Sequence, residues 1–241
     1  MPTPQETLLI ACGAIAREIV AIIKANGWDH MKVNCLPPKL HNDPEKIPEG
    51  IRTRIHNNRA RFERIYVLYA DCGTGGLLDK VLEEEGVERI YGNHCYEVYA
   101  GTVEFTALMK AEPASFFLTD FLVRHFDRLI IEGMGIERHP KLLKMFFGRY
   151  NRMVYLAQNS DPDLTAKAVA AAKKLGLKLE IRDTGFGNYE KFLQAKAFEK
   201  DGNVLQQRRA EKEYQEPQCI QKQSMNHFED KKKAIPCRIP F

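Results

Sequence analysis

Short β-rich segments alternate with helical segments along most of the chain, and this alternation is the feature that most constrains the fold. The predicted strands are segments 7–12, 31–35, 64–70, 89–91, 115–119, 152–157 and 177–182. Strands separated by helices at this spacing form βαβ units and a mainly parallel sheet. Six or seven strands fit a doubly wound sheet better than an eight-stranded barrel. We therefore predict a doubly wound α/β fold with helices on both faces of the sheet.

The composition of the chain changes near residue 196. Residues 1–196 carry the strand and helix pattern and are predicted to form a single α/β domain, for which a hydrophobic content of 44% supplies an ordinary core. Residues 197–241 are rich in Gln, Glu and Lys and have few periodic apolar residues, so we predict a poorly ordered polar tail. Cys219 and Cys237 lie in this tail and are left out of the predicted site.

Charge and hydropathy exclude several classes of partner. The formal net charge of +4 is small for 241 residues, so we expect no nucleic-acid partner. The sequence has no apolar run of membrane-spanning length, and its first residues lack the basic segment of a signal peptide. We expect a cytoplasmic protein with no membrane partner, in which the six cysteines are thiols, metal ligands or redox groups.

Four cysteines fall where predicted strands end. Cys12 and Cys35 end the first two strands, and Cys72 and Cys95 come just after the third and fourth. Because the carboxyl ends of parallel strands meet at one edge of a sheet, we predict that these four residues share a site. Each cysteine taken alone is more simply interpreted as a small buried hydrophobic residue. As a set, flanked by turn-forming and polar residues, they favour a function.

Two histidines, His41 and His94, add imidazole groups near the same edge. Thiolates and imidazoles are ligands for zinc, for copper(I) and for iron–sulfur clusters. The sequence has no CxxC or HxxxH pair, so a metal would take its ligands from separate loops. The predicted metal ligands are Cys12, Cys35, His41, Cys72, His94 and Cys95.

The loop Asp71-Cys72-Gly73-Thr74-Gly75-Gly76 joins a predicted strand to a predicted helix. Its glycines let backbone amides approach a ligand, and a helix N-terminus favours negative charge. We predict that a thiolate at Cys72 has a lowered pKa and acts as a catalytic group together with Asp71. Residues 73–76, namely Gly73, Thr74, Gly75 and Gly76, are predicted to bind a cofactor. The loop lacks the dinucleotide-binding and P-loop patterns, and the alternative is a turn needed only for packing.

Asp120 follows the predicted strand 115–119 and begins a helix predicted to continue through Ile131. It is a further candidate cofactor-binding residue, because its position lets it reach the crevice at the sheet edge. The alternative is that Thr119 or Asp120 only caps the helix.

Six segments of the sequence, taken in order over residues 8–190, resemble a domain-of-unknown-function family of methanogenic archaea and anaerobic bacteria. These segments are ACGAIAREI, CLPPKLHN, YADCGTGGLLD, ERIYGNHCYEVYAG, FFLTDFLVRHFD and VYLAQ. Members of that family are described beside corrinoid-dependent methyltransferase systems. The resemblance implies an anaerobic one-carbon context, with a corrinoid as a further cofactor and methyltransferase components as partners. It assigns no activity.

Three functions follow from these patterns. The leading hypothesis is a protein of anaerobic one-carbon metabolism that binds zinc or an iron–sulfur cluster at the carboxyl edge of the sheet. The second is an enzyme with a nucleophilic or redox thiolate at Cys72. The third is a non-catalytic accessory protein that binds a corrinoid or a methyltransferase partner.

Overall fold

The computed structural model of the protein describes residues 6–199. Residues through Phe192 belong to one compact unit, and a second unit begins at Leu193. The predicted polar tail, with Cys219 and Cys237, lies almost wholly outside the described residues, so its disorder stays a prediction. The fold described below is that of the first unit.

Seven strands in the described residues form two parallel sheets. The first sheet has the strand order β2-β1-β3-β4 and the second has the order β5-β6-β7. The predicted α/β fold with about seven mainly parallel strands is confirmed, and the strands are divided between two sheets. The strand bounds are β1 Thr7–Cys12, β2 Met31–Leu36, β3 Arg64–Leu68, β4 Glu88–Arg89, β5 Ser115–Thr119, β6 Arg152–Ala157 and β7 Lys178–Asp183.

Helices connect successive strands. Three of them end at glycines in the left-handed conformation, Gly27, Gly86 and Gly176. Within residues 6–199, no helix is both long and apolar enough to cross a bilayer. The helix bounds are α1 Ala16–Asn26, α2 Ile47–Asn58, α3 Leu77–Glu85, α4 Cys95–Ala100, α5 Thr102–Ala111, α6 Asp120–Arg124, α7 Lys141–Phe147, α8 Pro162–Leu175 and α9 Asn188–Ala197.

The core is built on strands that are buried along their whole length. Every residue of β1 and of β5 is buried. Such continuous burial is typical of parallel strands whose sheet is covered on both faces. Apolar residues of the flanking helices complete the core, among them Ile19 of α1 and Ile51 of α2, which are fully buried.

The register of the first sheet decides which strand-end residues share a face. Cys12 of β1 is opposite Leu36 of β2, and Ala11 is opposite Cys35. Because successive side chains of a strand point to opposite faces, Cys12 and Cys35 lie on different faces of the sheet. The strand β2 ends at Leu36, one residue beyond its predicted end, so Cys35 is not its last residue.

The helix predicted to run from β5 through Ile131 is interrupted. The α-helical part, α6, ends at Arg124, and a π-helical segment follows at Asp127–Glu132. In this segment the Gly133 amide donates to the Arg128 carbonyl, five residues back, at 3.0 Å. The π-helical turn contains one residue more than an α-helical turn, and the apolar periodicity of the sequence does not indicate this insertion.

Candidate functional site

A small, mainly apolar cavity lies at the carboxyl ends of β1 and β3. The cavity volume is about 20 Å³, which is enough for roughly one or two water molecules. Three of the four predicted cysteines and one of the two predicted histidines line it. The lining residues are Cys12, Ala14, Ile15, His41, Leu68, Tyr69, Ala70, Cys72, Cys95, Tyr96, Tyr99, Thr119, Phe121, Leu122 and Tyr189.

Cys12 is the last residue of β1 and is 5% exposed. Its sulfur accepts a hydrogen bond from the Ala14 amide at 3.4 Å, where the chain leaves the strand. Burial disfavours the charged thiolate and raises the pKa of the Cys12 thiol to about 12. Cys12 is therefore a protonated thiol at neutral pH.

Cys72 and Cys95 are brought together by two loops that run side by side. The Asp71 amide donates to the Gly92 carbonyl at 2.9 Å, and the Cys72 amide donates to the Asn93 carbonyl at 2.9 Å. The backbone amide of Cys95, at the start of α4, donates to the Cys72 sulfur. Cys72 also has a φ of +52°, a left-handed conformation that residues with a side chain rarely adopt.

The predicted low pKa of Cys72 is wrong. Burial raises the pKa of the Cys72 thiol well above its usual value, and the nearby Cys95 and Cys12 raise it further. The hydrogen bond from the Cys95 amide acts in the opposite direction and does not compensate. Removal of the thiol from water therefore decides the protonation state.

His41 faces the cavity from the loop that follows β2. Its Nδ1 lies 3.0 Å from the Pro38 carbonyl oxygen and 3.8 Å from the Cys12 sulfur. Because a carbonyl oxygen only accepts hydrogen bonds, Nδ1 carries the proton in the contact with Pro38, and Nε2 is the basic nitrogen. Burial lowers the pKa of His41, so the imidazole is neutral at pH 7.

Tyr69 is the most informative residue that the sequence analysis missed. It is 1% exposed, and its hydroxyl interacts with the thiol of Cys12. Burial, followed by the neighbouring Cys12, raises its pKa. The ring stacks on His41 with centroids 6.0 Å apart and planes 17° apart. Because a thiol is only a weak hydrogen-bond partner, the buried Tyr69 hydroxyl is poorly satisfied in the cavity.

Two further tyrosines close the cavity. Tyr99 of α4 and Tyr189 of α9 are buried, and their rings meet edge to face at 5.0 Å. Burial raises the pKa of both hydroxyls well above the usual value. Tyr99 lies in the segment ERIYGNHCYEVYAG, but nothing in the sequence around Tyr99 or Tyr189 indicates that they meet, and only the fold shows it.

In the loop 71–76, the carboxylate of Asp71 binds hydrogen-bond donors of the same loop. The Asp71 carboxylate accepts hydrogen bonds from the Thr74 hydroxyl at 2.5 Å, the Gly76 amide at 2.9 Å and the Gly75 amide at 3.1 Å. Burial alone would raise the pKa of Asp71, but these bonds outweigh burial and lower it. Asp71 therefore occupies the amides that were predicted to bind a cofactor, and its contacts are those of a loop anchor and not of a catalytic group.

Asp120 is an anchor as well. It is fully buried, and its carboxylate accepts from the Tyr155 hydroxyl at 2.8 Å and from the Gln158 amide at 3.0 Å. The second oxygen lies 3.1 Å from Asn159 Nδ2 and 3.3 Å from Arg124 Nη2. Asp120 does not line the cavity, and its bonds tie the ends of β5 and β6 together.

Cys35 and His94 do not line the cavity either. Cys35 is half-buried on the other face of the sheet, and His94 is the residue that precedes α4. In the described part of the chain, no three Cys, His, Asp or Glu side chains are placed to hold a metal ion as they stand. The predicted six-ligand set is thus reduced to Cys12, His41, Cys72 and Cys95 around one cavity.

Fold and site together define an α/β protein of parallel strands with a thiol-lined cavity at the strand ends. The chain matches the family model described as "Protein of unknown function (DUF1638)" over residues 35–193, and it belongs to this family. His41, Cys72 and Cys95 lie within the matched segment, and Cys12 precedes it. A search of curated proteins and a search of solved structures each give no match.

Proposed function

We propose that the protein binds one soft metal ion, such as zinc, through Cys12, Cys72 and Cys95, with His41 as the fourth ligand. The observation that carries the proposal is the lining of one enclosed cavity by these three thiols and this imidazole. Three thiolates and one histidine are a common ligand set of zinc sites.

The raised thiol pKa values support a metal site and disfavour a free nucleophile. Cys72 is half-buried and lies close enough to Cys95 and Cys12 that both residues raise the pKa of its thiol. Without a cation the Cys12 and Cys72 thiols stay protonated, which makes a nucleophilic thiolate at Cys72 the weaker hypothesis. A divalent cation would remove this repulsion and bind the deprotonated sulfurs.

The environment of His41 also fits a ligand. Metal-bound histidines commonly donate their second ring N–H to a carbonyl, which fixes the ring and its tautomer. The Nδ1 contact with Pro38 at 3.0 Å has this form. Because no three ligands stand in metal geometry in the described structure, the proposal requires thiol rotation about χ1 on binding.

The size of the cavity favours a single ion. Its roughly 20 Å³ of open space accommodates one or two atoms of water size. An iron–sulfur cluster, with at least two iron and two sulfide atoms, would need a larger opening. We therefore favour a single zinc ion over an iron–sulfur cluster as the occupant of the cavity.

We place this metal site in anaerobic one-carbon metabolism, the context implied by the resemblance to proteins of methanogenic archaea and anaerobic bacteria. With four protein ligands a tetrahedral zinc ion has no open coordination position, so we assign the ion a structural role in that context. The alternative is an accessory protein that binds a corrinoid or a methyltransferase partner, for which co-purification is the direct test.

Cobalt(II) titration of metal-free full-length protein under anaerobic conditions tests the proposal. We expect one cobalt per chain with intense sulfur-to-cobalt charge-transfer absorption. Binding at pH 7 should release at least two protons, from Cys12 and Cys72, whose thiols are protonated beforehand. His41 should release none because its lowered pKa keeps it neutral.

Cysteine variants supply the matched control. Cys12→Ser, Cys72→Ser and Cys95→Ser should each weaken cobalt binding by at least tenfold, whereas Cys35→Ser, on the other face of the sheet, should leave it unchanged. Absence of charge-transfer absorption in the wild type, or an equal loss in Cys35→Ser, would refute the site. Detection of acid-labile sulfide in the anaerobically purified protein would show that the site holds an iron–sulfur cluster and not a single ion.

A further inference from the structure

A second pocket lies on another part of the fold, between the α6 and π-helical region and α8. Its volume is about 510 Å³, within the usual range for small-ligand sites. It shares no lining residue with the thiol-lined cavity. The lining is Val123, Arg124, His125, Phe126, Asp127, Arg128, Glu132, Lys167, Ala170, Ala171 and Lys174.

The charges around this pocket are mainly positive. Four cationic side chains line it, and Asp127 and Glu132 are the two carboxylates. Lys174 already pairs with Asp127 at 2.5 Å, and Arg124 contacts the buried Asp120 at 3.3 Å. Within residues 6–199, Arg128 and Lys167 form no ion pair. These two cations are available to a ligand.

His125 also lines the pocket. Burial lowers its pKa first, and Arg128, Arg124, Arg17 and Lys167 lower it further. No carboxylate reverses this effect although Asp127 is only two residues away. The imidazole therefore stays neutral in a positive field, where it can donate one hydrogen bond without adding charge.

The backbone of the pocket is itself unusual. Asp127, Arg128 and Glu132 belong to the π-helical segment, whose i to i+5 bond joins Gly133 to Arg128. Such segments are rare, are less favourable than a regular α-helix and occur frequently at functional sites. Here the segment contributes one wall of the pocket.

We propose that this pocket binds a small soluble phosphate compound through Arg128 and Lys167, with His125 as a neutral donor. A concave site in which Arg128 and Lys167 form no ion pair with any described residue and cations outnumber carboxylates four to two suits a compact, multiply charged anion. Extended nucleic acid fits it less well, because the cations converge on one pocket instead of following a surface track.

Calorimetric titration of the full-length protein with inorganic pyrophosphate at low ionic strength tests this inference. Arg128→Gln and Lys167→Gln should each weaken binding by about fivefold, the loss expected for one partly exposed charge contact. Glu132→Gln should tighten binding, because it removes a like charge from the lining. Lys173→Gln changes the net charge equally, on the same helix as Lys167 but outside the lining, and should leave the affinity unchanged.

A wild type that does not bind pyrophosphate would overturn the proposal, and so would an equal loss in Lys173→Gln. Flotation with phosphatidylserine vesicles tests whether the bound phosphate group belongs to a lipid headgroup instead of a soluble compound. Binding to vesicles that depends on Arg128 would assign the pocket to a lipid headgroup and overturn the soluble ligand. Because Cys12→Ser leaves this pocket intact, it should still bind pyrophosphate whether or not the metal site exists.

Discussion

Replacing Asp71 with alanine should destabilise the loop that carries Cys72. The carboxylate accepts from the Thr74 hydroxyl and from the amides of Gly75 and Gly76 at distances of 2.5–3.1 Å. A buried hydrogen bond to a charged acceptor contributes about 1.5–3 kcal/mol. Because the glycine amides are exposed and water can replace the carboxylate there, we assign about 1 kcal/mol to each bond. The expected loss is about 3 kcal/mol of the free energy of unfolding.

Chemical denaturation followed by circular dichroism measures this loss, and the midpoint of thermal unfolding should fall by about 9 °C. The control is Asp79→Ala. Asp79 is 56% exposed and pairs with Arg89 at 2.5 Å, so its loss should cost less than about 1 kcal/mol. An Asp71→Ala protein whose free energy of unfolding stays within about 0.5 kcal/mol of the wild type would refute the anchoring role.

The same variant has a defined pH dependence. The pKa of Asp71 is lower in the folded state than its ordinary value near 4. A lowered folded pKa adds stability that is fully present above the unfolded pKa and is lost as the pH falls through the folded one. The stability difference between wild type and Asp71→Ala should therefore be constant near neutral pH and shrink below about pH 4.

Three further substitutions test the cavity and its surroundings. Gly75→Val should cost about 1–2 kcal/mol in denaturation, because Gly75 has a φ of +64° that a β-branched residue avoids; no atom lies within 4 Å of the added Cβ, so a steric clash is not the reason. Tyr69→Phe removes a buried hydroxyl whose partner is the weakly bonding Cys12 thiol and should stabilise metal-free protein by about 1 kcal/mol; a loss of stability would show that the hydroxyl is satisfied. Asp120→Asn should cost about 3 kcal/mol or more in the same assay, because Arg124 and Tyr155 lose a fully buried charged acceptor.

The prediction of a shared cysteine site shows how far strand ends can be interpreted from a sequence. Parallel strands place their carboxyl ends at one edge, so the approximate position of Cys12, Cys72 and Cys95 follows from the alternating pattern. The pattern does not give the face of the sheet. Cys35 falls on the opposite face from Cys12 because it is opposite Ala11 and not Cys12. A shift of one residue in that register would exchange the two faces.

The protonation state of Cys72 could not be predicted from the sequence either, because it depends on the tertiary surroundings of the sulfur. A thiol beside glycines and a helix start suggests a low pKa, but the actual value depends on what surrounds the sulfur. Cys72 is half-buried and lies near Cys95 and Cys12, and both burial and these neighbours raise its pKa. The Gly75 and Gly76 amides, which were expected to lower the pKa of Cys72, donate to the Asp71 carboxylate instead.

The sequence by itself therefore determined the parallel α/β class, the approximate bounds of the strands, and the edge at which three cysteines meet. These features depend on local periodicity, on turn residues and on the constant direction of parallel strands. Only the tertiary structure decided that Tyr69 joins His41 and the cysteines while His94 does not, that Asp71 and Asp120 are anchors, and that the seven strands form two sheets. Those features depend on register and burial between segments far apart in the chain, which no local pattern encodes.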